Sequence, residues 1–180
     1  MKKLFYLASL LLVTQVTGCI VFHSVSYEVN INDDGTGTAL VTIEDINSDA
    51  ASKESLDEDV KSILEYGLKS EEFVDGQKAD GKNITSRNLL VEREKLNALI
   101  RYEFSDLSTV EGMQFDDPYY YLTIPVGDSI ISTNGQITKT AEYQRIVWDK
   151  SIKTLKFKMY SDDTSTEGLK SLTPFYLEDN

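Results

Sequence analysis

Apolar residues at every second position are the feature that most constrains the fold of this chain. Two such runs lie close together: Val25, Tyr27, Val29 and Ile31, then Ala39, Val41 and Ile43. Because side chains alternate between the two faces of a strand, each run predicts a half-buried β-strand. Residues 33–37 between the runs include two glycines, which readily adopt the positive φ angles of tight turns. The sequence therefore predicts a β-hairpin here.

The same alternation predicts further strands and hairpins in the rest of the chain. Residues 89–93 and 98–104 form one expected hairpin, and a strand is expected around Leu122. Asn134-Gly135 stands between β-forming residues, a pattern typical of a two-residue hairpin turn. Residues 146–148 and 155–159 are expected to pair with each other across a short connection.

One segment has helical periodicity instead. Ser55 followed by Glu58 is a capping box, which predicts the start of a helix. Apolar residues then recur at spacings of three and four on one face: Leu56, Val60, Ile63, Leu64 and Leu68. This pattern predicts one main amphipathic helix over residues 55–69, followed by an exposed excursion over residues 70–82.

These elements together predict an α+β fold. The expected architecture is a mostly antiparallel β-sheet built from hairpins, with the amphipathic helix packed on it. The chain is 41% hydrophobic and has 7 Phe and 10 Tyr residues, enough for a core without disulfides. A single domain is expected over residues 25–161, and residues 162–180 are expected to form an acidic C-terminal tail.

The first nineteen residues have a different character. Lys2 and Lys3 precede an apolar run of about ten residues, which is too short for the roughly 20 helical residues that a membrane span needs. A charged start, a short apolar middle and small residues at the end are typical of a secretory signal peptide. The segment ends in Val-Thr-Gly-Cys, and Cys19 is the only cysteine of the chain.

This N-terminal segment resembles the signal peptide of bacterial lipoproteins, and Val-Thr-Gly-Cys resembles the lipobox of that class. The resemblance implies cleavage between Gly18 and Cys19, removal of residues 1–18, and S-diacylglycerol and N-acyl groups on Cys19. Residues 19–24 would then be a lipidated N-terminus with a very short tether. Ile20 follows the cysteine, so the resemblance implies the outer membrane in a two-membrane bacterium, and otherwise the outer face of the cell membrane.

The charge of the chain restricts its partners. Removing Lys2 and Lys3 from the 18 basic residues leaves 16 against 30 acidic ones, a net charge of −14 on the mature chain. Such a surface repels nucleic acid and anionic headgroups, so no nucleic-acid partner is expected. The lipobox resemblance implies one partner, the membrane, which is contacted through the lipid anchor.

The mature part resembles the LppM-like domain of bacterial lipoproteins. The matching pieces are structural: Asp34-Gly35-Thr36-Gly37, Tyr102-Glu103-Phe104, Ser132-Thr133-Asn134-Gly135, Val147-Trp148-Asp149 and Leu155-Lys156-Phe157. The resemblance spans about residues 20–160. It implies an exported, membrane-anchored α+β domain that binds a lipid or an envelope partner, and it implies no catalytic residue.

The common catalytic and metal-binding patterns are missing from the sequence. The single histidine is His23, four residues after Cys19, so Ser/His/Asp and Cys/His triads and His or Cys zinc sites are excluded. Residues 30–35 imitate the start of an EF-hand, but Val41 stands where the loop needs a bidentate glutamate. We expect no metal and no cofactor.

One cluster is a candidate binding surface: Asp116, Asp117, Tyr119 and Tyr121. Tyrosine rings can stack on sugars, and paired carboxylates 5–10 Å apart can hydrolyse glycosides. The alternative interpretation is a polar loop that enters a strand. The sequence thus predicts a non-enzymatic binding domain, with two alternatives open. A pocket with apolar walls would favour a carrier of lipid or another hydrophobic ligand, and a cleft with two opposed carboxylates would favour a hydrolase of envelope glycan.

Overall fold

The computed structural model describes residues 20–161 and 167–179, and within them the chain is mostly antiparallel β-structure. In chain order the strands are β1 (Ile20–Ile31), β2 (Gly37–Ser48), β3 (Lys82–Glu92), β4 (Lys95–Phe104), β5 (Gln114–Asp116), β6 (Tyr119–Pro125), β7 (Asp128–Thr133), β8 (Gln136–Lys139), β9 (Tyr143–Asp149), β10 (Thr154–Ser161) and β11 (Lys170–Ser171). The predicted α+β class and antiparallel pairing are confirmed.

The strands form two sheets. The large sheet has the order β3-β4-β2-β1-β10-β7, and β11 pairs with the end of β2. The small sheet has the order β5-β6-β9-β8. Along the chain β6 belongs to the small sheet, β7 to the large one, β8 and β9 to the small one and β10 to the large one, so the two sheets are connected several times.

The helical part is larger than the single helix expected from the sequence. Helix α1 (Lys53–Lys61) continues into a π-helix (Ser62–Gly67), and α2 (Glu71–Ala79) follows where an exposed excursion was expected. The N-cap is Ser52, whose Oγ accepts a hydrogen bond from the Ser55 amide, so the prediction of Ser55 as the cap was wrong. Ser70 caps α2 in the same way, since its Oγ accepts a hydrogen bond from the Glu72 amide. This cap explains why a helix begins in a charged segment for which the sequence predicted no helix.

Both hairpins predicted in the first half of the chain are confirmed. β1 and β2 pair antiparallel from Ile20 opposite Ser48 to Ile31 opposite Gly37. β3 and β4 pair antiparallel around a two-residue turn, Arg93-Glu94, in which both residues have positive φ angles of 51° and 65°. Position 37 requires glycine for steric reasons, because a Cβ atom there would overlap the Asn30 carbonyl and the Phe104 ring.

Two pairings predicted in the second half were wrong, for one reason. Asn134-Gly135 does not turn a hairpin, because β7 pairs with β10 in the large sheet and β8 pairs with β9 in the small sheet. Likewise β9 and β10 do not pair, since they belong to different sheets. The Asn134-Gly135 dipeptide is the point where the chain crosses from one sheet to the other.

The main core lies between the two sheets. The largest side chains with under 2% exposure include Trp148, Leu122, Ile146 and Leu155. Tyr27 stacks on Phe157 at a centroid distance of 4.7 Å. Burial of this kind stabilises a fold by about 25 cal/mol for each Å² of apolar surface removed from water.

A second core lies beside the first, between the large sheet and the helices. Its buried members are Ile46, Leu96, Ala98 and Leu172, and Ile20, Phe22, Leu56, Val60, Ile63, Phe175 and Tyr176 pack around them. Leu96 and Ala98 share the alternation of Tyr102 and Phe104 along β4, so the helices and the small sheet cover the same face of this strand.

The C-terminal residues that the structure describes are part of the fold. In the stretch expected to be an acidic tail, β11 extends the ladder of β2, and helix α3 (Thr173–Asp179) follows. The Tyr176 hydroxyl donates to the Leu89 carbonyl on the edge strand β3. At the other terminus, β1 already begins at Ile20, within the stretch expected to be a tether.

Candidate functional site

The outer face of the small sheet carries a group of aromatic and cationic side chains that lies away from the core. Tyr120, Leu122 and Ile124 of β6 point into the core, so their neighbours Tyr119 and Tyr121 point outward. On β9 the residues Gln144, Ile146 and Trp148 are buried, which places Tyr143 and Arg145 on the same outer side. We call Tyr119, Tyr121, Tyr143 and Arg145 the tyrosine–arginine face.

Arg145 occupies the centre of this face. Its guanidinium carbon lies 4.6 Å from the ring centroid of Tyr121 and 4.9 Å from that of Tyr143. Its Nε donates a 3.0 Å hydrogen bond to Oγ1 of Thr123, the residue opposite it on β6. Two cation–π contacts and one hydrogen bond therefore hold a side chain that is otherwise long and flexible.

The four residues singled out in the sequence are neighbours in the structure, but they do not all lie on the tyrosine–arginine face. Tyr119 is 48% exposed, and Tyr121 donates a hydrogen bond to the Gln114 side chain. Asp116 ends β5 opposite Tyr119. Asp117 lies in the connection to β6 and forms a 2.6 Å ion pair with Lys150, and this bond raises the pKa of the Lys150 ammonium.

The sequence did not identify Tyr143 and Arg145 as members of this surface. A signal was present, because Gln144, Ile146 and Trp148 alternate with Tyr143, Arg145 and Val147. However, β9 was expected to pair with β10, whereas it pairs with β6. Only that pairing brings Arg145 beside Tyr121.

The geometry around Asp116 and Asp117 is that of an exposed hairpin. Both residues are exposed, and Asp117 is already paired with Lys150. Glycoside hydrolysis needs two carboxyl groups that face each other across a substrate. Within residues 20–161 and 167–179, no group of three or more His, Cys, Asp or Glu side chains is placed to hold a metal ion.

A small pocket under α2 is the second location with unusual polar groups. Its walls include Tyr27, Phe73, Ile84 and Tyr102, and the side chains of Gln77, Lys82 and Glu111 contribute its polar atoms. Gln77 and Lys82 are 7% and 5% exposed. The enclosed space admits about one water molecule.

The polar groups of this pocket are only partly satisfied within the described structure. The Tyr27 hydroxyl donates a 2.7 Å hydrogen bond to Oε1 of Glu111, whereas Oε1 of Gln77 is buried without a donor. Burial, and to a lesser extent the Glu111 carboxylate, raise the pKa values of Tyr27 and Tyr102 well above those of ordinary tyrosines. A water molecule that donates to Gln77 would satisfy this oxygen.

Residues Gly18 and Cys19, the predicted cleavage and lipidation site, lie outside the described residues. Among the helices that the structure describes, none is long and apolar enough to cross a bilayer. No family model matches the chain, and the search of curated proteins also gave no match.

Proposed function

We propose that the protein is a lipid-anchored protein of the bacterial cell envelope whose domain binds a partner and is not an enzyme. The anchor would be Cys19, acylated after removal of residues 1–18. In a two-membrane bacterium the expected location is the outer membrane. The lipobox resemblance supports the anchor, and the tyrosine–arginine face supports the binding role.

The start of β1 supports a domain that lies directly on the bilayer. Ile20, the residue after Cys19, already pairs with Ser48, so no flexible spacer separates the acylated residue from the sheet. Ile20 and Phe22 at this end of β1 pack against the second core. The 12 residues of β1 extend about 40 Å, so the turn after Ile31 would be farthest from the membrane.

A single observation carries the binding role: the outer side of the small sheet holds three tyrosines and an arginine although this side faces no core. Tyrosine and arginine are enriched at protein interfaces, where they provide much of the binding energy. A surface that served only for solubility would be expected to hold mostly short polar and charged side chains.

The two alternative functions receive less support from the geometry. A carrier needs a cavity for an acyl chain, whereas the pocket described under α2 has about the size of a water molecule. A hydrolase needs opposed carboxylates, but Asp116 and Asp117 are exposed on a hairpin. Membership of the LppM-like lipoproteins agrees with the proposed binding role and is part of the proposal.

The anchor can be tested by changing Cys19 to Ser in the full chain. We expect the variant to lose incorporation of a fatty-acid analogue completely, because the hydroxyl cannot replace the thiol that accepts diacylglycerol. We also expect it to accumulate as the uncleaved precursor. Metabolic labelling followed by mass spectrometry of the N-terminal peptide measures both effects.

Ser86→Ala, an exposed position on β3, is the matched control and should keep full labelling. Equal labelling of the Cys19→Ser variant and the control would contradict the anchor assignment.

A further inference from the structure

We propose that the tyrosine–arginine face is a docking site for a polypeptide that presents one carboxylate to Arg145. This inference rests on the binding role proposed above and names the chemical class of the partner. The expected partner is a protein segment of neutral or basic overall charge with one exposed Asp, Glu or C-terminal carboxylate.

The first argument is the free hydrogen-bonding capacity of Arg145. Within residues 20–161 and 167–179, its side chain makes one hydrogen bond, through Nε, and its two terminal amino groups make none. No ion pair between described residues includes it, in a chain with 30 acidic side chains. The guanidinium therefore presents a pair of donors that fits the two oxygens of a carboxylate.

The second argument is pre-organisation. An arginine that must be fixed on binding loses side-chain entropy, and this loss weakens the complex. Here the Tyr121 and Tyr143 rings and the Thr123 hydroxyl already fix the guanidinium. Lysine could not reproduce this arrangement, because its ammonium has no planar fork.

The third argument concerns the charge of the partner. The chain carries a net charge of −12, or −14 without its first 18 residues, and repels polyanions such as nucleic acids or heavily phosphorylated polymers. A single carboxylate on a neutral or basic protein can still reach Arg145. Tyr119, 48% exposed on the same face, offers an aromatic contact to a neighbouring side chain of the partner.

The experiment uses the full chain in detergent micelles, labelled with ¹⁵N only in arginine. The Nε signals then come from Arg87, Arg93, Arg101 and Arg145 alone, and an Arg145→Lys variant assigns the signal of interest. The probes are two capped tripeptides, acetyl-Phe-Glu-Lys-amide and acetyl-Phe-Gln-Lys-amide. The glutamine peptide has the greater positive charge, so non-specific attraction to the acidic chain would favour it.

We expect the glutamate peptide to shift the Arg145 signal saturably and to bind about tenfold more tightly than the glutamine peptide, since a charge-assisted bidentate pair is lost in the latter. Isothermal titration calorimetry measures both peptides on Arg145→Lys, which has no Arg145 signal, and should show that the preference is abolished. The Arg87 and Arg101 signals should stay in place in this variant, which shows that the fold is intact. Tyr119→Ala should lower the affinity for the glutamate peptide about fivefold, because it removes the aromatic contact. The control is Tyr66→Ala, at a tyrosine that is 39% exposed and packs edge-to-face against Phe73, and it should leave the affinity for the glutamate peptide unchanged.

Equal affinity for the two peptides, or a preference that survives Arg145→Lys, would overturn the proposal. Sodium phosphate that shifts the Arg145 signal with the affinity of the glutamate peptide would also overturn it, by indicating a general anion site. The titration does not depend on acylation, so its failure is distinguishable from failure of the Cys19→Ser test.

Discussion

At the scale of single residues, Asn134 shows how one side chain can join two sheets. Its Oδ1 accepts hydrogen bonds from Nε1 of Trp148 and from the amide of Lys156, each at 2.8 Å, and its Nδ2 donates to the Thr154 carbonyl. Trp148 belongs to the small sheet, whereas Lys156 and Thr154 belong to the large one. The next position, 135, requires glycine, because a Cβ atom there would come within 2.8 Å of the Trp148 indole.

Asn134→Ala should therefore lower the free energy of unfolding by about 1–3 kcal/mol, because it leaves the buried Trp148 indole N–H without a partner. Urea denaturation followed by Trp148 fluorescence measures the change. The matched control is Asn88→Ala, an exposed strand position, for which a change within about 0.5 kcal/mol is expected. Equal losses in both variants would show that the bonds of Asn134 contribute little.

At the scale of secondary-structure elements, the local sequence specified the two hairpins of the first half better than the caps and lengths of the helices. Ser52 and Ser70 start helices because their hydroxyls accept from amides that have no helical partner. Residues 55–69 include most of α1 and the whole π-helix, so their i, i+3 and i, i+4 pattern identified a helical segment but not its π geometry. Helix α2 was missed because its surface residues are mainly charged.

The β3–β4 turn offers a test at this scale. Arg93 and Glu94 both adopt positive φ angles, in a turn position where Asn-Gly is preferred. The double variant Arg93→Asn, Glu94→Gly should raise the free energy of unfolding by about 1 kcal/mol, because it relieves the left-handed strain of two non-glycine residues. Chemical denaturation measures this change, and a lower stability of the variant would contradict the expectation.

At the scale of the whole molecule, ion pairs join strands that are far apart in the sequence. Lys158 of β10 bonds to Glu44 of β2 across β1, and Ser24 of β1 donates to the same carboxylate. The Lys158 bond holds the pKa of Glu44 below its usual range despite partial burial, which acts in the opposite direction. The folded chain therefore binds fewer protons at Glu44 than the unfolded chain does in mildly acidic solution.

This lowered pKa predicts a pH dependence. The contribution of Glu44 to stability is complete above the ordinary glutamate pKa of about 4.3 and is lost as the pH falls through the lower pKa of the folded chain. The contribution of this half-exposed pair should be below about 1 kcal/mol. Unfolding free energies measured between about pH 5 and pH 3 should fall less steeply for Glu44→Gln and for Lys158→Met than for the unaltered chain. Identical slopes in all three proteins would contradict this role.

The sequence by itself determined the properties that depend on neighbouring residues. Strand periodicity, the two hairpins of the first half and the α+β class were all readable, because alternation and turn chemistry act over a few positions. The lipid anchor at Cys19 is likewise a sequence-level prediction. The outward positions of Tyr119 and Tyr121 also follow from a local pattern, the alternation of apolar residues along β6.

Only the tertiary structure decided which strands share a sheet. Asn134-Gly135 has the local chemistry of a hairpin, but in the structure the chain changes sheets there, and Trp148 of the small sheet packs against Phe157 of the large one. The same choice pairs β9 with β6 and places Arg145 between Tyr121 and Tyr143. Pairings between distant segments depend on burial summed over the whole core, which no short stretch of sequence specifies.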